Sequence, residues 1–173
     1  MSRDDASADT RGSNRRARLL ADRIEEGAGG LAAFAEGITA EEWNRPVSKS
    51  DRRTVGVIVD HVANVYPIEI DLARAIASGK DVTDVTWEVV AGVNAKHAGD
   101  RASVTKAAAL ERLRQAAHDA AEAVRAFTDD DLDHAARFSL SFGAPMTAQF
   151  VIEDHPVRHS WHHLAKIRTA LGR

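Results

Sequence analysis

Apolar residues recur along most of this chain at the three- and four-residue spacing of a helix, and that period constrains the fold more than any other feature. A first stretch, about 13–37, carries Leu20, Ile24, Leu31 and Phe34 on one stripe. A second, about 55–78, carries Val57, Ile58, Val65, Ile68, Leu72 and Ile76. A third, about 105–127, carries Leu110, Leu113, Ala117, Ala120, Val124 and Phe127. A fourth, about 147–171, carries Ile152, Val157, Leu164, Ile167 and Leu171. Four long amphipathic helices with moderate connections predict an all-α four-helix bundle. A short extra helical segment is expected to start at Thr86 and end near Gly99.

Local signals punctuate these stretches. Thr39-Ala-Glu-Glu42 and Thr128-Asp-Asp-Asp131 have the spacing of capping boxes. Thr54 reads as the N-cap of the second helix and Gly79 as its stop. Pro67 inside it predicts a kink. Gly27, Gly29 and Gly30 weaken the first helix by roughly 1 kcal/mol each relative to Ala, and mark a kink or a close helix contact. Residues 80–85 read as a loop. Residues 134–146 are the least helical stretch; alternating Phe138, Leu140 and Phe142 predict a short extended segment or a loop packed by its apolar side chains. Residues 1 to about 12 are polar and read as a disordered tail, leaving 13–173 as a single domain.

Composition narrows function by exclusion. A net charge of −3 lacks the basic stripe expected of a nucleic-acid binder. No apolar run approaches the roughly 18–20 residues that span a bilayer, and the N-terminus lacks the apolar core of a secretory signal. No nucleic-acid or membrane partner is expected, and a cytoplasmic location is. There are no cysteines, which removes disulfides, thiolate metal ligands and a protein thiol nucleophile together.

The histidines carry the chemistry. On the second helix, at about 100° per residue, His61 falls near the centre of the apolar side, while Asp60, Asp71 and Arg74 fall opposite. On the fourth, His163 lies nearest the apolar side and His159 next; His155 and His162 lie further round, toward solvent or the rim. Residues four apart stack on one helix face, so His159 and His163 form the favoured pair, with His61 completing a facial set. Three neutral imidazoles with open positions make a catalytic type of metal site. The bland readings are a core histidine satisfied by a hydrogen bond and a solvated basic flank. Trp161, about 200° round from His159, is expected to pack. Asn94 and His97 could line a pocket mouth and the Arg52–Arg53 pair could bind an anionic substrate, but these residues, with His118 and His134, read more readily as surface. There is no HExxH, so the usual adjacent glutamate base of a metal hydrolase is absent.

The segments Thr54-Val-Gly-Val-Ile-Val-Asp-His61-Val and Asp154-His-Pro-Val-Arg-His159-Ser-Trp-His-His163-Leu-Ala-Lys-Ile167 resemble the two histidine helices of the DinB/YfiT-like superfamily of metal-dependent bundles. Trp43 before a Pro-containing loop also fits. Within that superfamily the chain looks most like the mycothiol-dependent maleylpyruvate isomerase N-terminal type and the bacterial thiol transferases. The resemblance implies a divalent metal on His61, His159 and His163, with His155, His162, Pro67 and Pro156 not required. Imidazoles suit zinc, and also nickel, cobalt or ferrous iron. It further implies a low-molecular-weight thiol such as mycothiol, bacillithiol or glutathione as sulfur donor to a small electrophile, by transfer or isomerisation. A homodimer is compatible with it. Metal-dependent hydrolysis and a non-catalytic metal-binding stress-response module remain the alternatives.

Overall fold

Ala17, Leu20, Ala21, Ile24, Ala28, Leu31 and Ala32 are buried along one face of α1 (Arg15–Glu36), the stripe that period 3.6 demands. Burying each Leu or Ile contributes about 1.5–3 kcal/mol, so tertiary contact holds the helix together across its glycines. The elements that follow in this computed structural model are α2 (Ala40–Trp43), α3 (Val55–Ala77), α4 (Trp87–Asp100), α5 (Lys106–Arg125), α6 (Asp129–Asp133), β1 (Ala135–Phe138), β2 (Ala144–Thr147), α7 (Ala148–Ile152) and α8 (Arg158–Leu171). The structure describes residues 14–173; the tail expected over residues 1 to about 12 lies outside the described residues.

The caps operate as the sequence indicates. Thr39 and Thr128 each close a capping box, with Glu42 and Asp131 reaching back to the cap backbone. Thr54 and Thr86 accept hydrogen bonds from the backbone of Val57 and Val89. The fourth long helix is not regular. Pro156 has no N–H to give a carbonyl one turn back, and a π-helical turn, Glu153–Val157, joins α7 to α8 around it.

Helix α1 packs against α5 and α8, and α3 packs against α5 and α7. Long helices that are consecutive in sequence, α1 and α3, therefore sit on a diagonal of the bundle, as do α5 and the α7–α8 pair. Each diagonal is crossed by a long connection: residues 37–54 hold α2, and residues 126–147 hold α6 and the hairpin. In that hairpin β1 and β2 pair antiparallel, Ala135 opposite Thr147 and Phe138 opposite Ala144. The apolar alternation expected there holds only in part. Phe138 is fully buried and Leu140 nearly so, but Phe142 stands 97% exposed at the tip, in a left-handed conformation next to Gly143.

Two glycines sit where another backbone or ring comes close. A Cβ on Gly56 would lie 2.4 Å from the Trp43 ring, whose indole N–H donates to the Val104 carbonyl at 3.2 Å. A Cβ on Gly27 would lie 2.9 Å from Nε1 of Trp161. Gly27 thus marks a close helix contact, between α1 and α8. Among the described residues, no helix is long and apolar enough to cross a membrane.

Candidate metal centre

His61 projects from α3 and His159 and His163 from α8, and their ring nitrogens meet at one end of the bundle interior. Nε2 of His159 lies 3.2 Å from Nε2 of His61 and 3.1 Å from Nε2 of His163. His61 and His163 are buried, and His159 is partly so. Burial, helped by the neighbouring His159, pushes His61 down to about 3. The same two causes push His163 far below the ordinary imidazole range. Both rings are therefore neutral near pH 7, the form that ligates metals.

The tautomer of His159 is set by a residue that sequence reasoning missed. Its Nδ1 donates to Oε1 of Glu69 at 2.6 Å, which leaves Nε2 with its lone pair facing the other two rings. A carboxylate behind a histidine is the usual orienting partner of a metal ligand. Glu69 is buried on α3, and the signal for it was an acid inside the apolar run Tyr66-Pro-Ile-Glu69-Ile70, two helical turns after His61. Tetrahedral zinc with Zn–N of 2.0–2.1 Å needs nitrogens about 3.3–3.4 Å apart; the observed separations differ from that by a few tenths of an ångström. Three convergent imidazole nitrogens, two of them on rings that burial keeps neutral, could hold a divalent ion.

The other histidines separate from this group. His162 is exposed on α8. His155 does not point to the rim as a regular helix would have it. The π turn inserts an extra residue into the count, and His155 lies half-buried with Nδ1 3.9 Å from Glu69 Oε1 and its ring edge-on to Phe138. His118 and His134 are exposed.

Asp60 and His97 overturn the surface reading given to them. Asp60 is fully buried, and its carboxylate accepts from Arg112 at 2.6 and 2.8 Å and from His97 Nε2 at 2.9 Å, with Arg101 at 3.3 Å. The helical wheel placed Asp60 opposite the core because it assumes one solvent face. Helix α4 and the start of α5 cover that face.

A cavity of about 410 Å³ opens beside the three histidines, between α3, α4 and α8. Arg53 lines it but is bound to Asp51 through two hydrogen bonds. Trp161 packs over Gly27 and Gly30, away from the ring nitrogens.

The family model of the DinB superfamily matches residues 23–167. The chain belongs to the DinB superfamily. No curated protein matches it significantly. The solved structure of YfiT from Bacillus subtilis, described as a probable metal-dependent hydrolase with an unusual four-helix bundle topology, aligns with a TM-score of 0.72. That alignment has 17% identity and covers 91% of this chain and 86% of that one. At this identity the likeness establishes the fold, and the diagonal placement of consecutive helices in this DinB-superfamily chain belongs to it.

Proposed function

We propose that His61, His159 and His163 hold a divalent metal and that the protein transfers a low-molecular-weight thiol to a small electrophile, or isomerises that electrophile with the thiol's help. The observation that carries this reading is the convergence of three imidazole nitrogens beside an open cavity in a chain with no cysteine of its own. A divalent ion supplies Lewis acidity that lowers the pKa of a thiol or water at an open coordination position. Zinc suits the donor set best, with nickel, cobalt or ferrous iron as alternatives.

The chain's own residues do the rest. Glu69 holds the His159 ring in place through Nδ1. The apolar cavity wall excludes water and orients the electrophile beside the sulfur. The sulfur forms a bond to the electrophilic carbon; in transfer a leaving group departs, and in isomerisation the thiol is released again. A cytoplasmic setting, where thiols stay reduced, suits a sulfur donor of this kind.

Hydrolysis is the second reading, favoured by the description of YfiT as a probable metal-dependent hydrolase. Thiol chemistry is placed first because the chain has no cysteine and both carboxylates at the cavity hold a neighbour; only Glu69 Oε2, buried and without a partner, is left to act as a base for water. Glu69 Oε1 is taken by His159 and Oε2 is buried; Asp154 is paired with Arg158 at 3.1 Å. The test is to incubate metal-loaded protein with mycothiol, bacillithiol or glutathione and a panel of electrophiles that includes monochlorobimane and maleylpyruvate. Sulfur conjugates or isomerised product that require metal, and vanish in His159→Ala, support the proposal. Thiol-independent hydrolysis with no thiol turnover replaces it with the second reading.

A further inference from the structure

We infer that the cavity beside the three histidines takes a small molecule with a compact metal-ligating head and an elongated apolar body, the body lying along α4. This rests on the metal reading above and concerns the electrophile, not the thiol, that the same site accepts.

The inference comes from where the apolar surface lies. Among the described residues eight large apolar side chains are exposed, and four of them line this one cavity: Ile68 (42%), Trp87 (58%), Val89 (48%) and Val93 (40%). Single exposed apolar residues are ordinary, but a contiguous group marks a binding surface. Leu72 and Val90 continue the same wall. Ile68 and Leu72 lie on the apolar stripe of α3, which elsewhere faces the core; here that stripe faces the cavity.

Helix α4 is built for this wall rather than for the core. Its one buried residue is His97, which pins the helix to Asp60 at 2.9 Å. Trp87, Val90 and Asn94 follow one another at spacings of three and four and line the cavity together. Asp60 precedes His61 in the chain, so the same short segment of α3 anchors the wall and supplies one of the three nitrogens. The wall therefore stands at a fixed distance from the proposed metal.

The charged side of the cavity is largely taken up by ion pairs. Arg53 and Lys166 both engage Asp51, at 2.7 and 3.6 Å, and Arg158 engages Asp154 at 3.1 Å. Two cations share one carboxylate there, so one positive charge is left over at this edge of the cavity. Recognition is divided: the metal takes the head and α4 takes the body. The volume of about 410 Å³ suits a small molecule rather than a polymer.

The experiment is a titration of zinc-loaded protein with n-alkyl hydroxamates, from acetohydroxamate to octanohydroxamate, by isothermal calorimetry. Affinity is expected to rise by about two- to fourfold per added methylene, with an increasingly negative heat-capacity change. Val93→Glu and Trp87→Ser, both at exposed positions that leave the core intact, should flatten that slope. If acetohydroxamate binds and octanohydroxamate binds no more tightly, the apolar-body inference is overturned while the metal reading stands. A slope that survives unchanged in both variants also overturns it, since the wall would then lie elsewhere. If zinc is not retained, or acetohydroxamate does not bind to zinc-loaded protein, the metal reading fails and the inference falls with it.

Discussion

Asp60 and His61 are neighbours in sequence on α3, yet they serve two buried polar clusters of opposite kind. Around Asp60 one carboxylate meets Arg112, Arg101 and His97, so the chain supplies both signs of charge. Around His61 three imidazole nitrogens meet chiefly one another, and burial keeps His61 and His163 neutral. The first cluster is electrostatically complete from the protein's own side chains and ties α4 and α5 to α3. The second brings three ring nitrogens to one point and could hold a shared cation. Buried polarity is therefore a structural device on one face of α3 and the best candidate for chemistry on the other.

The largest effect expected from this contrast is on folding. Asp60→Ala leaves three cationic or polar partners facing each other, and should cost on the order of 3 kcal/mol. The loss falls at the low end of that class because Arg101 and Arg112 reach solvent. His61→Ala should cost less in urea unfolding of the metal-free protein. The reverse order would break the comparison.

Metal affinity should show the opposite ranking. Replacing His61, His159 or His163 with Ala should weaken zinc binding, measured by chelator competition, by more than the roughly 10–100-fold that loss of an outer-shell partner costs. Asp60 variants that still fold should retain most of it. His155→Ala and His162→Ala should reduce it least. A first-ligand effect at His155 would mean that the π turn brings it into the set.

Glu69→Gln sharpens the boundary of the second cluster. Glutamine can still accept from His159 Nδ1 through its carbonyl oxygen but carries no charge, so zinc affinity should fall by no more than about 10–100-fold. An unchanged affinity would remove Glu69 from the site.

The last expected effect is a pH dependence. His61 titrates at about 3 in the folded protein against about 6.5 in the unfolded chain. Protons bind the unfolded chain first, so the stability of metal-free protein is complete above about pH 6.5 and is lost as pH falls toward 3. Chemical denaturation between about pH 6.5 and 4.5 should show this slope, and His61→Gln should reduce it. A slope identical in the two proteins would mean that His61 is not held neutral by burial.

Much of the fold was legible from local rules. The four long helices, the segment beginning after Thr86 and the threonine caps all depend on residues within a few positions of one another, and period and capping report such interactions directly. The pairing of His159 with His163 was legible for the same reason, being one turn of one helix. His155 was not, because Pro156 provokes a π turn whose extra residue changes the rotation that a regular wheel assumes. Phe142 failed in a similar way: alternation places a side chain inward only while the backbone stays extended, and here it turns left-handed at the hairpin tip.

By itself, then, the sequence determined helix positions, their caps and which histidines share a turn, since those are contacts along the chain. Only the tertiary structure decided that α3 is covered on both sides. Helix α4 and the start of α5 close over Asp60, and α8 closes over His61, so a residue read as solvent-facing became the anchor of a charge network. Glu69 came to lie behind His159 for the same reason, ninety positions away in the chain. Burial is set by what packs against a helix, and no pattern within the helix records the neighbour.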